Sequence, residues 1–277
     1  QGYDGILSNG FYIDLNQSAE FHYKNDPIPA DAPLNDTEKK RILGGEATMW
    51  SELVTPENVD MKIWTRMPAI AERLWSPQTV NDVDDMYNRM QRIWIQLEEH
   101  GLQHMSASEM MFRRMMPGEN TNRLVLITSI LIPVKNYDRH GPSKKAGMPL
   151  TSFAPYTRVI DALSAESMVA RTIGKLIDKV VASNDAEANT TLGTIFNYFI
   201  FSAPELIAEA KAYPILHEIF PHINNIEQLG MMSVSALAYK AKGEKMPADE
   251  LQKFSDLLEK SKEKHAQVEL AIVPHLE

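Results

Sequence analysis

The chain has 277 residues, room for one large domain or two modest ones, and 44% of them are hydrophobic, enough for a packed core. Lys and Arg total 28 against 37 Asp and Glu, a net charge of -9 with no basic run, which argues against a nucleic-acid or anionic-membrane surface. There are no cysteines, so disulfides and thiolate metal sites are excluded.

The opening Gln1-Gly2-Tyr3-Asp4 has neither an initiating Met nor a basic leader and reads as a cut point in something longer. Gly5 to Asp14 reads as a strand: apolar residues crowd together, then alternate, as in a buried parallel strand emerging at its C-terminal end. Ser8, Gly10, Tyr12 and Asp14 fall on one face of it. Asn16 to Asn35, with Pro27, Pro29 and Pro33, reads as a loop, and Asp36 to Lys40 as a short helical or solvated turn.

A second strand is expected over 42–52. Gly44 and Gly45 let its backbone turn without a side-chain penalty, and Glu46, Thr48, Trp50 and Glu52 share a face by the period of two. Two carboxylates and an indole suit the mouth of a barrel better than a packed layer. A helix should follow, with Thr55 as N-cap and Pro56 in its first turn. Ile63, Trp64, Met67, Ile70, Ala71 and Leu74 keep helical spacing until Ser76-Pro77. Val83 to His100 makes another amphipathic helix that Gly101 ends. Strand, loop, strand, helix, helix is the order of the closing βα units of a parallel barrel, and two strands cannot close one.

After Met105 the character changes. Leu124 to Val134 is the longest apolar run, broken by Thr128 and Ser129, and reads as a buried helix or strand; no run approaches the roughly 18 apolar residues of a membrane span. Asn136 to Pro149 is polar and contains Gly and Pro, a linker candidate. Helical patterns then fill Val159–Ala182, Ala186–Phe201, Pro204–Ala212, Pro214–Phe220, Ile226–Ala241 and Pro247–Val273, an all-α bundle in outline.

Gly44-Gly45-Glu46-Ala47, Met49-Trp50-Ser51-Glu52 and the run Trp64-x-Arg66-x-x-Ala69-x-Ala71-Glu72-Arg73-Leu74-Trp75-Ser76 resemble the last barrel strand and helix of family 20 β-N-acetylhexosaminidases. Leu7-Ser8, Phe11-Tyr12-Ile13-Asp14 and Phe21-x-Tyr23-x-x-Asp26-Pro27 resemble the preceding strand and loop. The match runs over residues 3–105; residues 106–277 carry no motif of the family.

The resemblance implies substrate-assisted retention: the 2-acetamido oxygen of the sugar attacks the anomeric carbon and an oxazoline forms. It makes Tyr12 the catalytic tyrosine whose hydroxyl orients the acetamido carbonyl. It makes Asp14, Trp50 and Glu52 substrate-binding residues: a polar group near the sugar, an apolar wall, and a carboxylate accepting hydrogen bonds from sugar hydroxyls. No metal and no cofactor is implied. Taken alone, Trp50 also reads as a core aromatic, Tyr12 as a surface strand tyrosine, and Asp14 and Glu52 as solvated or helix-capping carboxylates. Glu72 and Arg73 read as a helix-to-barrel ion pair, and His100 with His104 as a solvated helix end rather than a zinc pair.

The family's adjacent Asp-Glu pair, its acetamido orienter and general acid, lies on an earlier strand that nothing here matches; Asp249-Glu250 belongs to a helix N-terminus. The upstream arginine that binds sugar hydroxyls is also unmatched, and Phe11 stands where animal relatives commonly carry tryptophan. The expected fold is an α/β barrel remnant, the last two βα units of a TIM barrel over 1–105, then a connecting segment over 106–149 and a mostly α-helical C-terminal domain over 150–277. The expected function is that of the C-terminal portion of an exo-acting enzyme on terminal β-linked GlcNAc or GalNAc, inactive by itself. Its partners would be an N-acetylglucosaminide or N-acetylgalactosaminide and the missing N-terminal barrel portion, with no nucleic acid and no membrane span. The family's polymeric substrates suggest a periplasmic or secreted location. The rivals are a non-catalytic helical interaction module and a carbohydrate-binding pseudoenzyme.

Overall fold

A computed structural model describes residues 2–147, 150, 151 and 153–277; Gln1 and the Met148-Pro149 end of the expected connector lie outside them. The fold is mostly helical, with four short strands in two two-stranded sheets among the described residues. β1 (Gly5–Leu7) is followed by a 3-10 turn (Ile13–Leu15), α1 (Ala19–Lys24) and α2 (Asp36–Lys39). Then come β2 (Ile42–Gly45), α3 (Val59–Trp64), α4 (Met67–Trp75), α5 (Val83–Glu99), α6 (Ala107–Met115) and α7 (Asn122–Thr128). β3 (Leu131–Pro133) and α8 (His140–Lys145) precede α9 (Met168–Ser183), α10 (Ala186–Ala210), α11 (Phe220–Lys242) and α12 (Ala248–Ser261). β4 (Val268–Leu270) and α13 (Val273–Leu276) complete the order.

The chain forms two compact units, and neither is one continuous stretch. The first is Gln1–Ser108, Lys135–Tyr156 and Ser164–Glu166; the second is Glu109–Val134, Thr157–Leu163 and Ser167–Glu277. Residues 106–149, read as one connector, are thus shared between the two.

In the first unit β1 and β2 run parallel, Ile6 opposite Gly44 and Leu7 opposite Gly45. Both strands are shorter than the alternation suggested. A turn at Asn9-Gly10 interrupts the first, and pairing resumes only at a bridge between Tyr12 and Thr48. Phe11, Ile13 and Ile70 form the small core beside them, with Leu7, Met49, Met67 and Leu74 packed around it. Gly45 explains how the helix comes so close: a Cβ there would lie 2.9 Å from both Leu74 Cδ2 and Phe11 Cε2.

The Asn16–Asn35 loop contains α1. Ser18 caps it, accepting from the Phe21 N–H at 3.1 Å, and it buries Ala19, His22 and Tyr23. Six residues are too few to display a helical period, which is why the sequence hid it. α2 opens with a capping box between Asn35 and Glu38. The helix expected through Ile63–Leu74 is two helices, broken where Arg66 leaves the helical region at φ -130. α4 stops at Ser76 and α5 at His100 before Gly101, as the Pro and Gly signals indicate.

In the second unit α10 packs along α11, burying Phe196, Phe199, Ala203 and Leu206 with Ile223, Ile226 and Leu229. Pro204 does not split α10. Proline removes one N–H and crowds the preceding turn, and burial of Phe199, Ala203 and Leu206 around it outweighs that local cost. Val268–Leu270, expected inside a helix, is a strand antiparallel to β3, with Leu131 opposite Leu270. Its partner is distant in sequence, so local periodicity could not announce it. The Val159–Ala182 helix begins only at Met168, where Ser167 caps it by accepting from Ala170 N–H at 3.0 Å; Val159–Ala162 is a 3-10 turn.

Gly45→Ala is expected to lower stability by about 1–3 kcal/mol, since the added methyl overlaps Leu74 and Phe11, seen as a lower denaturant midpoint in urea.

Candidate functional site

The parallel pair ends in a cluster of polar and aromatic side chains. Tyr12 is fixed by two backbone bonds around the bridge: Thr48 N–H donates to Phe11 C=O at 3.0 Å, and Ile13 N–H to Thr48 C=O at 2.9 Å. Immediately after it the chain coils into the Ile13–Leu15 turn, so Asp14 lies in a 3-10 turn, off the strand face expected of it. Asp14 Oδ2 nevertheless reaches across, accepting from the Trp50 N–H at 3.3 Å, so the two strand ends are joined there as well. The Asp14 Oδ1 is buried without a hydrogen-bond partner. Burial holds its carboxyl above the usual range, and the neighbouring Glu52 charge adds to that, while two backbone N–H groups and Arg66 oppose it.

Trp50 is 69% exposed, so it is no core aromatic. Glu52 does not continue the face of Thr48 and Trp50, because Ser51 between them sits at φ 63 and turns the chain. The residues that meet Glu52 come from far along the sequence. His140 Nε2 lies 3.6 Å from Glu52 Oε2, and the Tyr156 hydroxyl donates to the Glu52 carbonyl at 3.0 Å.

Under the cluster lies Arg66, fully buried. Its guanidinium donates to the Gln17 carbonyl at 2.9 Å and to the Lys62 carbonyl. Burial pushes its pKa down to about 10, against the pull of Glu166 and Asp14. It remains a cation at neutral pH, between two carboxylates. Glu166 is itself tied down by the Ala19 N–H and by the Tyr87 hydroxyl at 3.0 Å.

Residues 1–78 match the family model described as glycosyl hydrolase family 20, catalytic domain. That stretch is similar to family 20 catalytic domains. The chain is 41% identical over 92 residues to the beta-hexosaminidase subunit beta of Sus scrofa, a match covering 32% of this chain and 17% of that protein. Against beta-hexosaminidase subunit A1 of Dictyostelium discoideum it is 38% identical over 109 residues, 37% of this chain and 20% of that one. The whole chain resembles the crystal structure of a Flavobacterium johnsoniae chitobiase, with a TM-score of 0.88 and 32% identity over 99% of this chain and 41% of the other. The chain therefore spans about a fifth of these curated relatives and well under half of the chitobiase.

Within the matched segment, the structure brings Tyr12, Asp14 and Trp50 to one strand end and places Glu52 past the Ser51 turn. Glu72 pairs with Arg89 of α5, not with its neighbour Arg73: Arg89 Nε and Nη2 reach its two oxygens at 2.9 and 2.5 Å, and Tyr23 donates at 2.7 Å. The Arg89 bond is the main reason the Glu72 carboxyl sits below its usual range. Arg73 instead donates to the Val80 and Pro77 carbonyls and lies 3.7 Å from Asp26. His104 is buried at 2% exposure, not solvated, with Nδ1 3.9 Å from Glu98. Among the described residues no group of three or more His, Asp or Glu could hold a metal ion. Sequence reading missed His140 and Tyr156, which carry no motif and stand far from Glu52 in the chain; it quoted Arg66 in a pattern without a role.

His22 sits beside the turn at Gly10, its Nδ1–H donating to the Gly10 carbonyl at 2.7 Å, fully buried and with Nε2 unpartnered. Burial lowers its pKa from 6.5 to about 4. Between those values the unfolded chain binds a proton that the folded one refuses, so stability falls as pH drops from 6.5 towards 4. The loss approaches about 3 kcal/mol, and pH-dependent urea unfolding should show this slope flattened in His22→Gln. Arg66→Leu leaves Asp14 and Glu166 without their shared cation and is expected to cost about 3–5 kcal/mol, read from the urea midpoint at neutral pH.

Proposed function

We propose that this chain is the C-terminal portion of an exo-β-N-acetylhexosaminidase that removes terminal β-linked GlcNAc or GalNAc with retention. The observation that supports the reading is the joined strand end, where the Tyr12–Thr48 bridge and the Trp50 N–H bond to Asp14 gather Tyr12, Asp14 and Trp50. In this reading β1 and β2 are the last two strands of a (β/α)8 barrel. Preceding residues supply the other strands and the Asp-Glu pair. The whole would act in the periplasm or outside the cell.

The chemistry assigned to each group follows from what it can do. The Tyr12 hydroxyl donates to the acetamido carbonyl and holds its oxygen against the anomeric carbon, a proximity effect. That oxygen attacks, the C–O bond to the leaving group breaks, and the leaving oxygen takes a proton from the general acid on the earlier strand. Water then opens the oxazoline with overall retention. Trp50 offers an exposed indole to the apolar face of the ring. Asp14 and Glu52 are the polar groups that accept from sugar hydroxyls. The reaction uses no metal and no cofactor. The chain alone lacks the acid and does not turn over.

The experiment is hydrolysis of a chromogenic aryl N-acetyl-β-glucosaminide by this chain alone and by the protein extended upstream. Only the extended protein is expected to turn over. Tyr12→Phe should lower its kcat about a hundredfold, and Glu52→Gln its kcat/KM about tenfold or more. Multiple turnovers by the chain alone would overturn the assignment of the acid to another strand. Silence from both would favour a carbohydrate-binding or helical interaction protein.

A further inference from the structure

We infer that the return segment, residues 135–156, sets the position of Glu52, with Tyr156 and His140 as its positioning residues; the inference rests on the sugar-binding role proposed for Glu52. Regular pairing cannot hold Glu52. The β1–β2 pairing ends at the Thr48 bridge, and Ser51 at φ 63 then swings the chain out of strand geometry. A residue with a Cβ keeps such a conformation only where its surroundings enforce it, and such positions gather at functional sites. The enforcing group here is Tyr156, which is itself at φ 43. Two strained backbone positions thus lie on either side of one hydrogen bond, from the Tyr156 hydroxyl to the Glu52 carbonyl at 3.0 Å.

Tyr156 is suited to be an anchor. It is 5% exposed, and the Arg139 guanidinium lies over its ring at 5.5 Å. Its single hydroxyl proton is shared between the Glu52 carbonyl and the Thr151 carbonyl, 2.8 Å away, so the hydroxyl also closes its own loop. His140 governs the other end of Glu52. Its Nε2 stands 3.6 Å from the carboxylate, while Nδ1 is buried without a hydrogen-bond partner, and Tyr137 meets the ring edge-on at 5.5 Å. The Glu52 backbone and carboxylate are therefore held by different residues of the same segment.

That segment is fastened to the other strand end too. Asn136 N–H donates to the Leu15 carbonyl at 2.9 Å, and Gln17 Nε2 donates to Asn136 Oδ1 at 2.9 Å. Leu15 follows Asp14. One stretch thereby clamps the turn that carries Asp14 and the turn that carries Glu52, fixing the spacing of the two carboxylates proposed to grip the sugar.

The test uses the upstream-extended protein with an aryl N-acetyl-β-glucosaminide. Tyr156→Phe removes only the hydroxyl and His140→Ala only the imidazole. Each is expected to raise KM about threefold to tenfold with kcat changed less than about twofold, since sugar-hydroxyl contacts contribute to ground-state and transition-state binding alike. In a Glu52→Gln background Tyr156→Phe should add little, because the residue acts through Glu52. Hydrogen exchange over residues 46–58 should quicken in Tyr156→Phe with the thermal midpoint nearly unmoved. Wild-type KM in both variants, beside an impaired Glu52→Gln protein, would overturn the inference and leave the proposed function standing. An unimpaired Glu52→Gln protein would instead fault the role given to Glu52, and the exchange rate then decides the positioning claim by itself: unchanged exchange sinks it.

Discussion

The first unit depends on one buried cation. Arg66 is fully desolvated, yet its guanidinium satisfies the carbonyls of Gln17 and Lys62 and sits in the field of Asp14 and Glu166. A charge removed from water on this scale is tolerated only with such compensation. The arrangement binds together the turn after the first strand, the end of α3 and the residues just before α9. It also explains the break between α3 and α4: Arg66 leaves helical geometry at the point where its side chain turns inward. An uninterrupted helix would have aimed it elsewhere.

The same constraint reaches the candidate site through Asp14. Burial alone would favour the neutral acid, and Arg66 with the Trp50 N–H pulls toward the carboxylate. A carboxylate held that way is a rigid acceptor, whereas Glu52, half exposed beside His140, depends on its neighbours to be held in place. The two carboxylates of one proposed sugar site are thus supported in opposite fashions, one by buried charge and one by a returning loop. The strands themselves contribute little beyond the Tyr12–Thr48 bridge, since regular pairing stops short of Trp50 and Glu52.

The second unit is built by different means. Its core comes from α10 and α11, with α7, α9 and α12 packed around them, and its strands are a two-stranded antiparallel clip between Leu131–Pro133 and Val268–Leu270. Gly230 lets the two long helices approach, since a Cβ there would meet Ile200 Cγ1 at 2.9 Å. Pro204 inside α10 shows the order of magnitudes: a proline penalty of about 3 kcal/mol is smaller than the burial of the apolar side chains on the same two turns. The likeness to the chitobiase extends through this unit, where the sequence carries no family motif.

Local chemistry was readable in the sequence wherever it is decided by neighbours. The stop at Ser76-Pro77, the end of α5 at Gly101 and the acidic first turn of α12 all follow from residues within a few positions of one another. Tyr12, Asp14, Trp50 and Glu52 stand out because the motifs around them resemble those of a known family. What the sequence could not determine is whatever depends on a partner far along the chain. The strand at Val268–Leu270 exists because Leu131–Pro133 pairs with it, and α10 runs through Pro204 because its flanks are buried. The polar stretch from Asn136 reads as a linker, and only the fold turns it back onto Glu52. A hydrogen bond from Tyr156 to the Glu52 carbonyl leaves no periodicity in either segment, so tertiary structure alone decides it.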